Sequence, residues 1–222
     1  MIVVFTKSYP VRHIGHLDLM RTMQRVLRRS GVPVRHSHGF NPHMQLSFAA
    51  PLSVGIVGEH EIMDVSMESD CGESEFVAAL SKATPVCLPI VSAKAVEDQY
   101  PTLMGLVAGS RYRIETDTDP SGFAGAIGQL LAMEEYIALR KTKSGENMSN
   151  IIPYIEKLAV RNGAIYFTAR SLQSGSLKPK AVMNTLFTLA DLPPCDYTVF
   201  REAILAKDAQ GHLVPLEVLN DE

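Results

Sequence analysis

The apolar residues of this chain change period repeatedly, and the order of those changes narrows the fold more than any other feature. Ile2, Val3, Val4 and Phe5 make a short apolar run in residues 1–9, the mark of a first strand. Over residues 16–30 the spacing turns helical, with Leu19, Met20, Met23, Val26 and Leu27 on one side. Gly31 suits the position just past the helix end, and Pro33 blocks continuation. Residues 45–57 and 60–68 alternate with period 2; Pro51 interrupts the first run, and Gly55 and Gly58 supply a bend. Residues 73–83 are helical again, with Glu73 and Glu75 in the first turn, Phe76, Val77 and Leu80 inward, and Pro85 as the stop. Residues 86–95 are apolar and β-branched, a closing strand. The order is β-α-β-β-α-β, a split β-α-β pattern.

A second cycle follows. Residues 96–110 read as a linker with room for one helical turn. Residues 111–118 alternate, 121–133 are helical despite three glycines, and 135–142 form a strand with a basic end. Residues 144–150 read as a polar loop, and Pro153 argues against a long helix in 151–160. Asn162-Gly163 is the strongest hairpin signal in the chain. Pro179 opens a last helix, and residues 196–205 form a last strand. The expectation is an α+β protein of two ferredoxin-like halves with mainly antiparallel sheets. Residues 1–98 make the first half, 99–110 a linker, 111–206 the second half and 207–222 a polar tail.

Cys71, Cys87 and Cys195 are scattered and odd in number, which fits neither a disulfide framework nor a Cys-based metal site. A reducing cytoplasm is the natural setting for such a chain. No run of apolar residues is long enough for a transmembrane helix, and residues 1–7 lack the features of a signal peptide, so no membrane association is expected. The net charge of −3 hides a strong asymmetry. Residues 1–58 hold seven Lys/Arg against one acid; residues 59–110 hold nine acids against two lysines.

That basic region concentrates the candidate chemistry. Arg21, Arg25, Arg28 and Arg29 fall opposite the apolar stripe of the first helix, and five of the seven histidines lie between His13 and His43. The turn Gly39-Phe40-Asn41-Pro42-His43 follows. An anionic polymer suits this set. The four arginines would meet phosphates, Arg12, Arg35 and His43 would frame a groove, Phe40 would stack on a base, and Asn41 would read a base edge. A solvated helix face beside a structural turn is the plain alternative.

The motifs His-Leu-Asp-Leu-Met-Arg at 16–21, Leu-Arg-Arg-Ser-Gly at 27–31 and Ser-His-Gly-Phe-Asn-Pro-His-Met-Gln-Leu-Ser-Phe-Ala at 37–49 resemble the radical-SAM-linked domain family. That uncharacterised domain stands beside a cobalamin-type radical-SAM protein or is fused to its C-terminus. The resemblance extends over nearly the whole chain. Gly15, His38 and Gln45 stand where the family pattern has Ser, Gln and Lys, and the last change removes a cation. What the resemblance implies is a radical-SAM protein as partner and RNA, tRNA in particular, as its substrate. The chain has no Cys-x-x-x-Cys-x-x-Cys run, so cluster chemistry would belong to the partner and no cofactor is expected here.

Other chemistries stay open. His36 and His38 share a face if extended, and His13, His16, His43 or Asp18 would have to complete a metal site, although the spacing matches no defined zinc motif. His16 with Asp18, or His38 with His43, offers an acid–base pair for metal-independent endoribonuclease chemistry. Ser174, Gly175, Ser176 and Lys178 precede a helix and offer an anion-binding loop, without the full phosphate-loop pattern. The acidic segment 59–75, or Met20, Met23, Met63 and Met67, offers a docking surface for the radical-SAM partner without RNA contact.

Overall fold

A computed structural model describes residues 1–97, 100–142 and 145–217. It is a mixed α+β protein, and the chain divides into two compact units. One comprises Met1–Val107 with Ala206–Glu222, the other Ala108–Leu205.

In the first unit β1 (Ile2–Lys7) leads through a single 3-10 turn into α1 (His16–Ser30). The strands β2 (Leu46–Phe48) and β3 (Ile56–Val65) follow, then α2 (Glu73–Ala83), β4 (Ile90–Lys94) and the short α3 (Leu103–Leu106). The strands lie in the order β4-β1-β3-β2, all antiparallel. α1 begins after Gly15 and ends where Gly31 takes the left-handed conformation at φ 74°, and α2 runs from Gly72 to the extended Thr84. Both helices turn their apolar stripes to one core: Leu19, Met23, Val26 and Leu27 from α1 and Phe76 and Leu80 from α2 pack with Val3, Phe5, Phe48, Met63 and Val65 of the sheet.

Residues 45–57 do not form one strand. β2 stops at Phe48; Leu52 is still buried, and the chain turns at Gly55, whose φ is 87°. Gly58, expected to bend, lies inside β3 opposite Lys7, where β1 carries a register shift. The closing strand is shorter than expected because residues 86–87 are turns. The tail holds β12 (Leu213–Pro215) and the fully buried Leu216, and Glu217 Oε1 lies 3.0 Å from His60 Nδ1.

The second unit runs β5 (Gly109–Thr116), a 3-10 turn, α4 (Ala124–Leu131), β6 (Ile137–Thr142), β7 (Gly145–Asn150), a 3-10 turn, β8 (Ile155–Arg161), β9 (Ala164–Leu172), β10 (Gly175–Ser176), α5 (Pro179–Ala190) and β11 (Tyr197–Lys207). Its sheet order is β8-β9-β5-β11, again antiparallel, with β10 also on β9. Of the expected polar loop at 144–150, residues 145–150 are instead β7, paired with β6 as a separate hairpin, and residue 144 lies outside the described residues. Its Gly-Glu-Asn-Met-Ser-Asn sequence has no alternation, so only the partner strand specifies it.

Asn162 and Gly163 both have positive φ, 47° and 72°, as a type I′ hairpin turn requires. Asn162→Ala forces an alanine into that conformation and is expected to cost about 1 kcal/mol. Asn162→Gly is expected to be nearly neutral. Urea unfolding of the two variants checks the pair; equal midpoints would contradict the turn geometry.

Candidate nucleic-acid interface

α1 presents its arginines outward because the apolar stripe has only one place to go. Arg21, Arg25, Arg28 and Arg29 are all exposed, yet they are not equivalent. Arg21 Nη1 lies 3.1 Å from Asp18 Oδ1, one turn back on the helix. That pair is solvated and weak, worth roughly 0.3–0.5 kcal/mol. Arg29 Nη2 donates to the carbonyl of Ala83 at 2.5 Å, closing the C-terminal end of α2. Arg25 and Arg28 have no hydrogen bond or ion pair among the described residues. By contrast, Arg111, Arg113 and Arg170 on the strands of the second unit all face carboxylates of Glu202, Glu115 or Glu156.

Arg12 is committed as well. Its guanidinium sits 3.7 Å over the Tyr9 ring and donates to the Tyr9 carbonyl. Lys7, 1% exposed, holds this stretch by donating to the carbonyls of Arg12 and Ile14 at 2.8 and 2.9 Å. The Gly55 amide also donates to the Arg12 carbonyl.

Residues 34–45 form an arm. Val34 bridges to Met67 and His36 to Met44, and Arg35, Gln45 and Ser66 are tied through backbone bonds of 2.8 to 3.0 Å. Beyond this ribbon the turn is closed by Ser37. Its amide donates to the His43 carbonyl, its hydroxyl accepts the His43 amide at 3.1 Å, and that hydroxyl lies 2.9 Å from His43 Nδ1. Gly39 at φ 117° lets the turn reverse. Phe40 at the tip is fully exposed, and His36, His38, Asn41 and His43 are exposed beside it.

The arm and Arg12 lie at opposite ends of β3. Lys7, which holds Arg12, is opposite Gly58, whereas Arg35 bonds Ser66. Eight residues of extended chain separate those levels, roughly 25 Å. Arg12 therefore does not frame a groove with Arg35 and His43. Arg35 instead lines a cavity of about 400 Å³ together with Asp64, Glu68, Asp70, Cys71 and Tyr100. Burial pushes the Asp64 carboxyl above its ordinary range, against the pull of the N-terminal ammonium and a Val65 backbone bond. Burial also raises the Tyr100 phenol.

The histidine pairs are likewise separated. The His16 ring packs edge-on against Phe48 at 5.4 Å, and Asp18 bonds Arg21, not His16. His38 and His43 belong to the arm. Among the described residues no three His, Cys, Asp or Glu side chains come together as a metal site, so His36 and His38 find no third ligand in His13, His16, His43 or Asp18. Met23 and Met63 are fully buried and Met20 and Met67 pack against the same core, which makes them core residues. Ser174 lies in the two-residue turn that joins β9 to β10, which is Gly175 and Ser176, and the Ser174 hydroxyl is 2.6 Å from the Tyr154 hydroxyl. Lys178 precedes α5 and is exposed.

Sequence reasoning missed the buried Lys7 and Glu61 and the Tyr9 platform under Arg12. A lysine closing an apolar strand and a tyrosine three residues before an arginine were the available signals. A family model described as "uncharacterized protein conserved in bacteria (DUF2344)" matches residues 1–179. No curated protein matches the chain.

Proposed function

From the premise that the chain belongs to the DUF2344 family of uncharacterized proteins conserved in bacteria, we propose that it is a non-catalytic accessory that binds RNA, tRNA in particular, and presents it to a radical-SAM enzyme. The observation that carries this reading is the arm, a braced ribbon that holds Phe40 and Asn41 in solvent, on a unit whose α1 leaves Arg25 and Arg28 uncommitted. The link to a radical-SAM partner rests on the motif resemblance in residues 16–49. The strand order β4-β1-β3-β2, with a helix after β1 and after β3, supports a ferredoxin-like reading of the first unit. The order β8-β9-β5-β11 supports the same reading of the second.

A competing reading, docking of the radical-SAM partner without RNA contact, draws on the acidic cavity around Arg35. The test is binding of the full chain to a labelled tRNA pool across salt. Two free arginines release few counterions, so the logarithm of affinity is expected to fall against the logarithm of salt with a slope of about −2. Arg25→Ala with Arg28→Ala should flatten that slope, and Arg21→Ala should leave it nearly unchanged. Absence of tRNA binding at low salt would overturn the RNA reading, and retention of a radical-SAM protein by the same chain would then establish the docking alternative.

A further inference from the structure

The chain has eight phenylalanines. Phe5, Phe48, Phe76, Phe123, Phe167 and Phe187 are buried, and Phe200 is half-buried beneath the Arg113 guanidinium. Phe40 alone stands in solvent. Its support is not slack: the His36–Met44 bridge and the three Ser37–His43 contacts brace the ribbon below it. A large apolar ring held out on a braced tip gains by being covered, and a flat partner covers it best.

Resting on the RNA reading above, we propose that the RNA class this protein takes is unpaired: a single-stranded segment or loop whose exposed base stacks on Phe40. Two observations select an unpaired strand over a duplex. Duplex RNA is gripped through its backbone across about 16 base pairs, with bases hidden in a groove that side chains do not reach. α1 offers only Arg25 and Arg28 free for such a grip, because Arg21 faces Asp18 and Arg29 closes α2. At the root of the arm, Asp64, Glu68 and Asp70 line the cavity that holds Arg35, a surface that repels a phosphate track running down from the tip. Base recognition is thereby confined to the tip, where one base can stack and the exposed Asn41 amide can meet its edge, while Arg25 and Arg28 supply the few phosphate contacts.

The test uses the full chain and three labelled RNAs: a single-stranded 12-mer, a hairpin displaying the same bases in its loop, and a blunt 16-base-pair duplex. The single strand and the loop are expected to bind at least about 10-fold more tightly than the duplex. Phe40→Ala should weaken single-strand binding about 10-fold and leave the melting curve unchanged, since the ring touches solvent only. Because the chain has no tryptophan, Phe40→Trp supplies a single indole whose emission a stacked base quenches. Quenching by single strand and loop but not by duplex supports the inference. Equal or tighter duplex binding, or single-strand affinity unmoved in Phe40→Ala, overturns it and leaves RNA binding standing. Failure to bind any of the three overturns both. Loss of a protein partner in Phe40→Ala with RNA affinity intact reassigns the tip to protein docking.

Discussion

Lys7→Met is expected to destabilise the first unit by about 3 kcal/mol, lowering its thermal transition by roughly 10 °C. The side chain is 1% exposed, and its ammonium donates to the carbonyls of Arg12 and Ile14. Methionine matches its length but donates nothing. The Arg12 carbonyl keeps the Gly55 amide, whereas Ile14 loses the donor that anchors it. Glu61 adds to the cost. It is 3% exposed, and its carboxylate lies against Gly58, the residue opposite Lys7, so both charges share one face of the β1–β3 pair. Removing the cation leaves that carboxylate in a poorer environment. Since residues 12–14 deliver the chain into α1, amide exchange in the first turn of that helix should also accelerate. A melting temperature within about 3 °C of the parent would show that the ammonium is dispensable.

Gly58→Ala is the second large effect, about 2 kcal/mol of destabilisation. A Cβ built there meets Glu61 Cγ at 2.5 Å and Cδ at 2.7 Å, and Glu61 is buried inside a strand with little room to yield. Backbone strain plays no part, because Gly58 is in ordinary extended conformation within β3. Gly128→Ala supplies the opposite sign. It lies within α4 with nothing within 4 Å of a new Cβ, so alanine should stabilise by roughly 0.5–1 kcal/mol. Chemical denaturation of the two variants decides the matter; a Gly58→Ala chain as stable as the parent would mean that Glu61 can move aside.

The helices were legible because their signals are local. Gly31 beyond α1, Gly72 and Glu73 at the start of α2 and Pro179 opening α5 mark the observed ends. The Asn162-Gly163 turn was legible for the same reason. What could not be read depends on distant partners. β7 exists because β6 lies beside it, not because its residues alternate. β2 ends early because Pro51 and Gly55 turn the chain, although Leu52 keeps the apolar pattern going as a buried loop residue. The arginines of α1 were legible as a row but not in their engagements. Arg29 is taken by a carbonyl 54 residues away, and Arg12 lies over an aromatic ring three residues behind it. The exposed turn 39–43 was legible from its Gly and Asn-Pro chemistry, whereas the Ser37–His43 brace was not.

The return of residues 206–217 to the first unit, with Leu216 fully buried, has a consequence for biosynthesis. On the ribosome, β1 through α2 emerge early but lack the piece that completes them until residues 206–217 have followed the whole second unit. Residues 108–205 meanwhile have every contact of their own unit available first. The second unit can therefore mature while the earlier-made one waits, an inversion of the usual N-to-C order that leaves β1 and its neighbours exposed to chaperones for longest.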